Sequence, residues 1–137
     1  MASYDEIQIG DSASFTKTLS ESDIYLFAGI TGDLNPAHVN AVAAADGMFK
    51  QRIAHGMLTA SFISTVLAMN LPGNGTIYVS QESQFRGPVF IGDTVTARVE
   101  AIEKLEPRKW VKFHTTVHNQ DGKLVVDGHA VVIPPKA

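Results

Sequence analysis

The stretch from Gly56 to Asn70 constrains the fold more than any other part of the sequence. Drawn as a helix, it carries apolar side chains almost all the way round, at Met57, Leu58, Ala60, Phe62, Ile63, Val66, Leu67, Ala68 and Met69. A helix with no polar face must be covered on every side. The stretch is too short and too rich in Ser and Thr to span a bilayer. We therefore expect a central helix enclosed by the rest of the chain.

Segments typical of β-strands account for most of what remains. Four of them, rich in Val, Ile, Thr and aromatic residues, follow the central helix at about 76–86, 93–104, 109–119 and 123–133. Asp121-Gly122 is a hairpin signal between the last two. An alternating segment at 13–19 predicts one further strand before the helix. The sequence thus predicts an α+β domain in which an antiparallel sheet packs on one buried helix.

The region between the first strand and the central helix is less regular. A helix is predicted from about Glu21 to Ile30, because Ser20 and Asp23 have the spacing of a capping box. The following segment, 31–56, is interrupted by Gly and Pro, and at most one short helix fits, at about 40–45. Irregular segments of this length in a small domain are usually functional or disordered. This one carries two His as well as Asp and several apolar residues, which favours a functional segment.

Composition excludes several classes of function. The 137 residues correspond to one domain, 1–137, with a net charge of −3 and no run of Lys or Arg longer than two. A nucleic-acid partner is not expected, because it requires a basic surface. The chain has no cysteine, which rules out disulfides, thiolate nucleophiles and Cys-type metal sites. Residues 1–10 do not resemble a signal peptide, so we expect a cytoplasmic protein with no membrane partner.

Asp33 and His38 are the first candidates for catalysis. They lie five residues apart across an Asn35-Pro36 pair, and proline restricts both its own backbone and that of the residue before it. Such a turn can hold a carboxylate and an imidazole within reach of one water molecule, as general acid–base chemistry requires. The alternative is a plain turn, since Asp and Asn are common turn formers.

The start of the central helix is the second candidate. A helix N-terminus presents unpaired N–H groups, and Gly56 has no side chain that would obstruct a developing oxyanion. The alternative is that the helix needs glycine there for backbone reasons, with His55 packed beside it. Ser64 lies two turns further on, on the side of Ala60 and Leu67, where it could contact a substrate or bond a carbonyl of its own helix.

The remaining histidines do not form a motif. His114, His118 and His129 fall on predicted strands with no metal-ligand grouping around them, so we interpret them as structural. The sequence contains no G-x-S-x-G, P-loop or G-x-G-x-x-G pattern. No metal and no cofactor are expected.

Taken together, these segments resemble a known family. The string D-x-N-P-x-H at 33–38 and the I-x-H-G-M-L segment at 53–58, continued at 71–73 and 88–93, are similar to those of the MaoC-like (R)-specific enoyl-CoA hydratases. The resemblance includes the short, single-domain type that supplies monomers for polyhydroxyalkanoate synthesis. It covers roughly residues 10–133.

This resemblance implies a fold, an activity and a set of roles. The fold would be the hot-dog fold, a curved antiparallel five-stranded sheet around a central helix. The activity would be (R)-specific hydration of trans-2-enoyl thioesters without cofactor or metal. Asp33 and His38 would be the catalytic pair, and the Gly56 N–H would bind the thioester oxygen. The residues expected to contact the substrate are Asn35, His55, Ser64 and Leu67.

Two other functions and two carriers stay open. A hot-dog thioesterase would attack the thioester carbon instead, and a non-catalytic module would only bind acyl thioesters. The substrate could be carried by coenzyme A or by an acyl carrier protein. A homodimer is expected, because an open five-stranded sheet leaves edges that must be paired or covered.

Overall fold

The computed structural model describes all residues from 1 to 137 and contains five strands and four helices. The strands are β1 (Ser12–Thr18), β2 (Ile77–Phe85), β3 (Thr94–Leu105), β4 (Trp110–His118) and β5 (Leu124–Ile133). The helices are α1 (Glu21–Thr31), α2 (Pro36–Val39), α3 (Ala41–Ala45) and α4 (Gly56–Met69). None of the helices combines the length and the apolar character needed to cross a membrane.

The strands form one antiparallel sheet in the order β1-β3-β4-β5-β2, and α4 packs against it. Alternate side chains point toward α4, which gives β3 a fully buried row of Val95, Ala97, Val99 and Ala101. From the helix, Ile63, Val66 and Leu67 complete a core cluster of 21 buried residues. The α+β class and the hot-dog arrangement predicted from the sequence are confirmed.

Helix α1 begins and ends where its sequence signals predict. Ser20 and Asp23 form a reciprocal capping box, in which each side chain accepts a hydrogen bond from the other residue's backbone N–H. At the other end, Gly32 closes the helix at φ +80°, a left-handed conformation that favours glycine. The loop that follows α1 is therefore held at a defined position.

The expectation of a single short helix in 31–56 is wrong. The structure has α3 close to the predicted 40–45, but it also has α2. Pro36 occupies the first turn of α2, and the side-chain oxygen of Asn35 accepts a hydrogen bond from the Ala37 N–H. The Asn-Pro pair that resembles a turn is thus a helix start, because proline is suited to a position that needs no N–H.

The expectation that α4 is covered on every side is also wrong for the single chain. Met57 is 64% exposed, and Ser61 and Ala68 are exposed on the same face. The sheet covers only one side of a helix, so these small and apolar residues stand open. We call Met57, Ser61 and Ala68 the open face of α4.

Strand β2 forms one edge of the sheet and is equally exposed. It is hydrogen-bonded on one side only, to β5, and eight of its nine residues are exposed. Four of them are large and apolar or aromatic, namely Ile77, Tyr78, Val79 and Phe85. The opposite edge, β1, alternates between exposed and partly buried residues and is mostly polar on its exposed side. The two edges therefore differ in chemical character.

Candidate active site

Three titratable side chains from separate segments meet beside the start of α4. Asp33 lies in the loop after α1, His38 lies in α2, and His55 immediately precedes α4. One nitrogen or oxygen atom from each side chain lies within 4.8 Å of the others. Asp33 is exposed, His38 is half-buried and His55 is buried.

The loop holds Asp33 by its backbone and leaves part of its carboxylate open. The Asp33 N–H donates to Thr31 Oγ1 over 3.1 Å, and Asp33 Oδ1 accepts from the Asn35 N–H over 3.2 Å. The second carboxylate oxygen makes no hydrogen bond within the chain. Asp33 can therefore accept a proton or a hydrogen bond from a molecule outside the loop.

The orientation of His38 is set by a main-chain group. Its Nδ1 lies 2.8 Å from the carbonyl oxygen of Ile53. A carbonyl oxygen can only accept, so Nδ1 carries the hydrogen and the neutral ring keeps its lone pair on Nε2. This is the form in which His38 can accept a hydrogen bond from water.

His55 supports both of the other residues. It is 2% exposed, its Nε2–H donates to the Asp33 carbonyl over 2.9 Å, and its ring stacks on His38 at 3.9 Å and 26°. The Phe27 ring contacts it at 4.9 Å between centroids. Its Nδ1 is buried without a hydrogen-bond partner. His55 was expected to contact substrate, but the structure places it in the wall that carries Asp33 and His38.

The stacked rings do not suit a metal ion. The lone pair of an imidazole nitrogen lies in the plane of its ring, and a metal must lie in that plane. Because the His38 and His55 rings are stacked 3.9 Å apart at 26°, their lone pairs lie in separate, nearly parallel planes, and one ion would not lie in both. Asp33 and His38 are better suited to holding a water molecule.

The start of α4 provides hydrogen-bond donors next to this pair. The first N–H of α4 to bond within the chain is that of Thr59, to the His55 carbonyl, so those of Gly56, Met57 and Leu58 have no acceptor. A side chain at position 56 would place its Cβ 3.0 Å from the Phe85 ring. Gly56 and Phe85 also line a pocket of about 350 Å³. Only glycine leaves both the N–H and the ring unobstructed.

A second groove runs along the open face of α4. It has a volume of about 420 Å³ and lies between Phe27, the helix and β2. Ser61 and Ser64 line it from the helix side, and Tyr78 lines it from the strand. Tyr78 is 40% exposed as a whole residue, but partial burial of its hydroxyl raises the pKa of that group to about 12, so it stays protonated and donates to Gln81. The lining of the groove is mostly apolar, which suits an apolar ligand.

Comparison with known proteins identifies the family of the chain. Residues 6–122 match the family model described as the MaoC like domain. The chain belongs to the MaoC-like family.

Among the relatives of this MaoC-like chain is an (R)-specific enoyl-CoA hydratase of Rhodospirillum rubrum, 54% identical over 96% of this chain and 91% of the relative. An unliganded R-hydratase of Pseudomonas aeruginosa has a similar structure, with a TM-score of 0.94 and 45% identity over 98% of this chain and 86% of the other. An (R)-hydratase from A. caviae involved in PHA biosynthesis aligns with a TM-score of 0.91 and 39% identity, over 94% of this chain and 98% of the other.

In the structure of this MaoC-like chain, some of the predicted site residues lie together and others lie apart. Asp33 and His38 meet at His55, which directly precedes Gly56, the first residue of α4, and Ser64 lines the groove along that helix. Asn35 is exposed, and its side chain caps α2. Leu67 is 1% exposed and belongs to the core, so it does not open onto the groove. Its contact with an acyl tail stays a prediction and requires a tail that reaches beneath the surface.

Sequence reasoning missed the residues that support the pair. Thr31 anchors Asp33, the Ile53 carbonyl orients His38, and Phe27 packs on His55. Thr31 could have been found, because a hydroxyl two residues before an Asp is a common local acceptor. The other two contacts come from distant parts of the chain and leave no local pattern.

The histidines that we interpreted as structural lie elsewhere in the MaoC-like domain. On the outer face of the sheet, His114 Nε2 contacts Asp127 Oδ1 at 2.8 Å, and the His129 ring lies 5.5 Å from that of His114. The hydrogen bond from His114 holds the pKa of the Asp127 carboxyl below its ordinary value. None of the three belongs to the cluster around Asp33.

Proposed function

We propose that the chain catalyses the reversible hydration of trans-2-enoyl thioesters to (R)-3-hydroxyacyl thioesters. It is a hydro-lyase of the MaoC-like family. The observation that carries the proposal is that the side chains of Asp33 and His38 meet at His55, the residue directly before the unbonded N–H groups at the start of α4. These groups are suited to activating water and to binding an oxyanion.

The reaction adds one water molecule across the double bond. Asp33 and His38 hold the water, and Asp33 takes a proton as the water oxygen bonds to the β-carbon. The electron pair of the double bond moves toward the thioester carbonyl, which gives an enolate-like species. The proton that Asp33 took is then returned to the α-carbon on the same face, which regenerates the carboxylate and leaves the thioester bond intact. Dehydration follows the same path in reverse.

The start of α4 supplies the electrostatic part of the mechanism. The thioester oxygen gains negative charge as water adds, and the Gly56 N–H donates a hydrogen bond to it. Removal of one such donor typically raises the barrier by about 3 kcal/mol. The dipole of the helix adds to this effect, since its positive end lies at the N-terminus.

The acyl chain is proposed to lie in the groove on the open face of α4. Ser64 lines this groove, whose lining is mostly apolar. Leu67 lies deeper, in the core. A tail that enters between the helix and the sheet would reach Leu67 in the core, which would make this residue a determinant of chain length.

Coenzyme A is the proposed carrier, because the relative from R. rubrum is named for enoyl-CoA. An acyl carrier protein is the second possibility. The A. caviae hydratase is involved in PHA biosynthesis, and we propose the same metabolic use here. The cytoplasmic location stays a prediction.

We also propose that the chain works as a homodimer joined at β2. This strand is an edge with unpaired backbone groups and with Ile77, Tyr78, Val79 and Phe85 exposed. An edge of this length and composition is a site for pairing with another chain. The open face of α4 lies beside it and would be covered by the same contact.

Incubation with crotonyl-CoA tests the reaction against both alternatives. Loss of the enoyl absorbance without release of free thiol is the expected result. Release of thiol would identify a thioesterase, and binding without any chemical change would identify a non-catalytic module. Comparison with the crotonyl thioester of an acyl carrier protein, at matched concentrations, then distinguishes the two carriers.

A further inference from the structure

His55 is the titratable residue of the site that the proposed mechanism does not use. It is 2% exposed, yet it contacts both members of the proposed catalytic pair. Its Nε2 lies 2.9 Å from the main-chain oxygen of Asp33, and its ring stacks on that of His38 at 3.9 Å. A buried residue with these two contacts can influence the chemistry without meeting the substrate.

The hydrogen-bonding state of His55 follows from its partners. The Asp33 carbonyl can only accept, so Nε2 carries a hydrogen. The other ring nitrogen, Nδ1, is the one buried side-chain nitrogen or oxygen atom without a hydrogen-bond partner. Leaving a buried polar atom unpaired is unfavourable. An apolar ring would avoid this cost but could not donate to Asp33, so the donor at Nε2 is the property that distinguishes histidine here.

The contacts of His55 act on groups that the local structure does not fully fix. Asp33 stands in an exposed loop, where Thr31 and Asn35 bond its N–H and one carboxylate oxygen but not its carbonyl. His38 is held at one edge of its ring by Ile53. His55 supplies the missing restraint in both cases: a donor to the Asp33 carbonyl and a flat surface for the His38 ring.

We propose that His55 is a positioning residue, which sets the geometry of Asp33 and His38 and exchanges no proton with the substrate. The inference rests on the proposed roles of Asp33 and His38. A misplacement of about 1 Å in such a pair can lower the rate by about 100-fold. Substrate binding should change little, because His55 is covered.

Two variants separate the donor from the ring. His55→Gln keeps an N–H that can reach the Asp33 carbonyl but removes the imidazole, and His55→Phe keeps a flat ring but removes the donor. We expect kcat of the Phe variant to fall by about 100-fold, with KM within about threefold of wild type. The Gln variant should keep at least about a tenth of the wild-type kcat and the shape of the pH–rate profile. A Gln variant as inactive as Asp33→Asn, or a fully active Phe variant, would overturn the proposal.

The same series separates this inference from the proposed function. If Asp33→Asn and His38→Ala keep their activity, the catalytic pair itself is wrong, whatever the His55 variants do. If those two are inactive, the His55 variants alone decide whether His55 is a positioning residue.

Should a variant not fold, ¹⁵N spectra of the wild-type imidazoles provide a second test. We expect His55 as the Nε2–H tautomer wherever the enzyme is active, and a hydrogen on Nδ1 there would contradict the proposal.

Discussion

The Nδ1–H of His38 donates a hydrogen bond of 2.8 Å to the carbonyl oxygen of Ile53. Ile53 is itself held, because its N–H bonds to the Ala37 carbonyl and it forms an isolated bridge with Phe90. The short helix that carries His38 is thus tied to the strand-like segment before α4. The tie fixes which nitrogen of His38 faces outward, and this determines the role that His38 can take.

Asp33→Asn should abolish activity without loss of the fold. The amide keeps the shape of the carboxylate and can still accept from the Asn35 N–H, but it cannot take a proton. Loss of a general base typically lowers kcat by about 10²- to 10⁴-fold. His38→Ala should have a similar effect, because both residues hold one water molecule. Steady-state kinetics with crotonyl-CoA and a thermal melt of each variant check this.

Asp46→Asn is a suitable control for this pair, since Asp46 is exposed and its side chain makes no hydrogen bond within the chain. It should leave kcat unchanged. A folded Asp33→Asn variant with more than about a tenth of the wild-type kcat would exclude Asp33 as the base.

The sequence predicted those elements whose burial or β-strand character shows as a pattern of residue types along the chain. The first strand alternates, the other four are rich in Val, Ile, Thr and aromatic residues, and α4 shows its apolar run, so these elements were found nearly to the residue. Helix α2 has four residues, which is close to a single turn and too short to show a period. The contact between His38 and the Ile53 carbonyl involves a backbone atom, and a backbone atom has no sequence signature.

The proximity of Asp33 and His38 could be inferred from the sequence, because the two residues are close in the chain on either side of the Asn35-Pro36 pair. Their catalytic roles stay predictions. The stacking of His38 on His55 depends on how α2 packs against the start of α4. The pairing of His114 with Asp127 depends on the register between β4 and β5, in which His114 lies opposite His129 and Asp127 opposite Thr116. Neither relation could be derived before the fold was known.

Gly56→Ala should lower kcat strongly while the helix stays intact. The added methyl group would lie 3.0 Å from the Phe85 ring, so the ring or the helix start must move away from the proposed oxyanion position. Loss of one oxyanion donor typically costs about 10²- to 10³-fold in kcat, and we expect an effect approaching that range. The measurement is kcat with crotonyl-CoA at saturating substrate.

Gly29→Ala provides the matched control, because a Cβ at this helical position meets nothing within 4 Å. It should leave kcat unchanged and stabilise α1 slightly. Adding Phe85→Leu to Gly56→Ala should restore part of the activity, since the smaller side chain relieves the contact. A folded Gly56→Ala enzyme with the wild-type kcat would remove Gly56 from the mechanism.

Leu67→Ala should shift the preference toward longer acyl chains. The side chain is fully buried, so its truncation opens space behind the groove and also destabilises the fold by about 2–5 kcal/mol. Ser64→Ala should alter the chain-length profile with less effect on stability, because Ser64 is only partly buried. Rates measured over a series of enoyl-CoA chain lengths test both.

Val66→Ala, at an equally buried position, controls for the loss of stability. A Leu67→Ala chain-length profile identical to that of Val66→Ala would show that Leu67 does not contact the tail.

Asp127→Asn should make the free energy of unfolding less dependent on pH in the acid range. The pKa of the Asp127 carboxyl is lowered in the folded protein, chiefly by its hydrogen bond from His114. Its contribution is therefore fully present above the unfolded value of about 3.9 and disappears as the pH falls through the lower folded pKa. The urea midpoints of variant and wild type should differ at neutral pH and approach each other as the pH falls below 4. A difference that is the same at both pH values would show that His114 does not stabilise the charged form.

Val79→Lys should convert the proposed dimer into a monomer with little activity. Val79 lies on the exposed edge strand β2, at the border of the groove, and a charge there would have to be desolvated in a two-fold contact. Ser14→Lys introduces the same charge on β1, the other edge of the sheet, and should leave the assembly unchanged because that edge is mostly polar. Sedimentation at micromolar concentration, followed by kinetics on the same samples, gives both readouts. A wild-type chain that sediments as a fully active monomer would contradict the dimer and the placement of the groove beside it. Dissociation by Ser14→Lys instead of Val79→Lys would place the contact at β1 and not at β2.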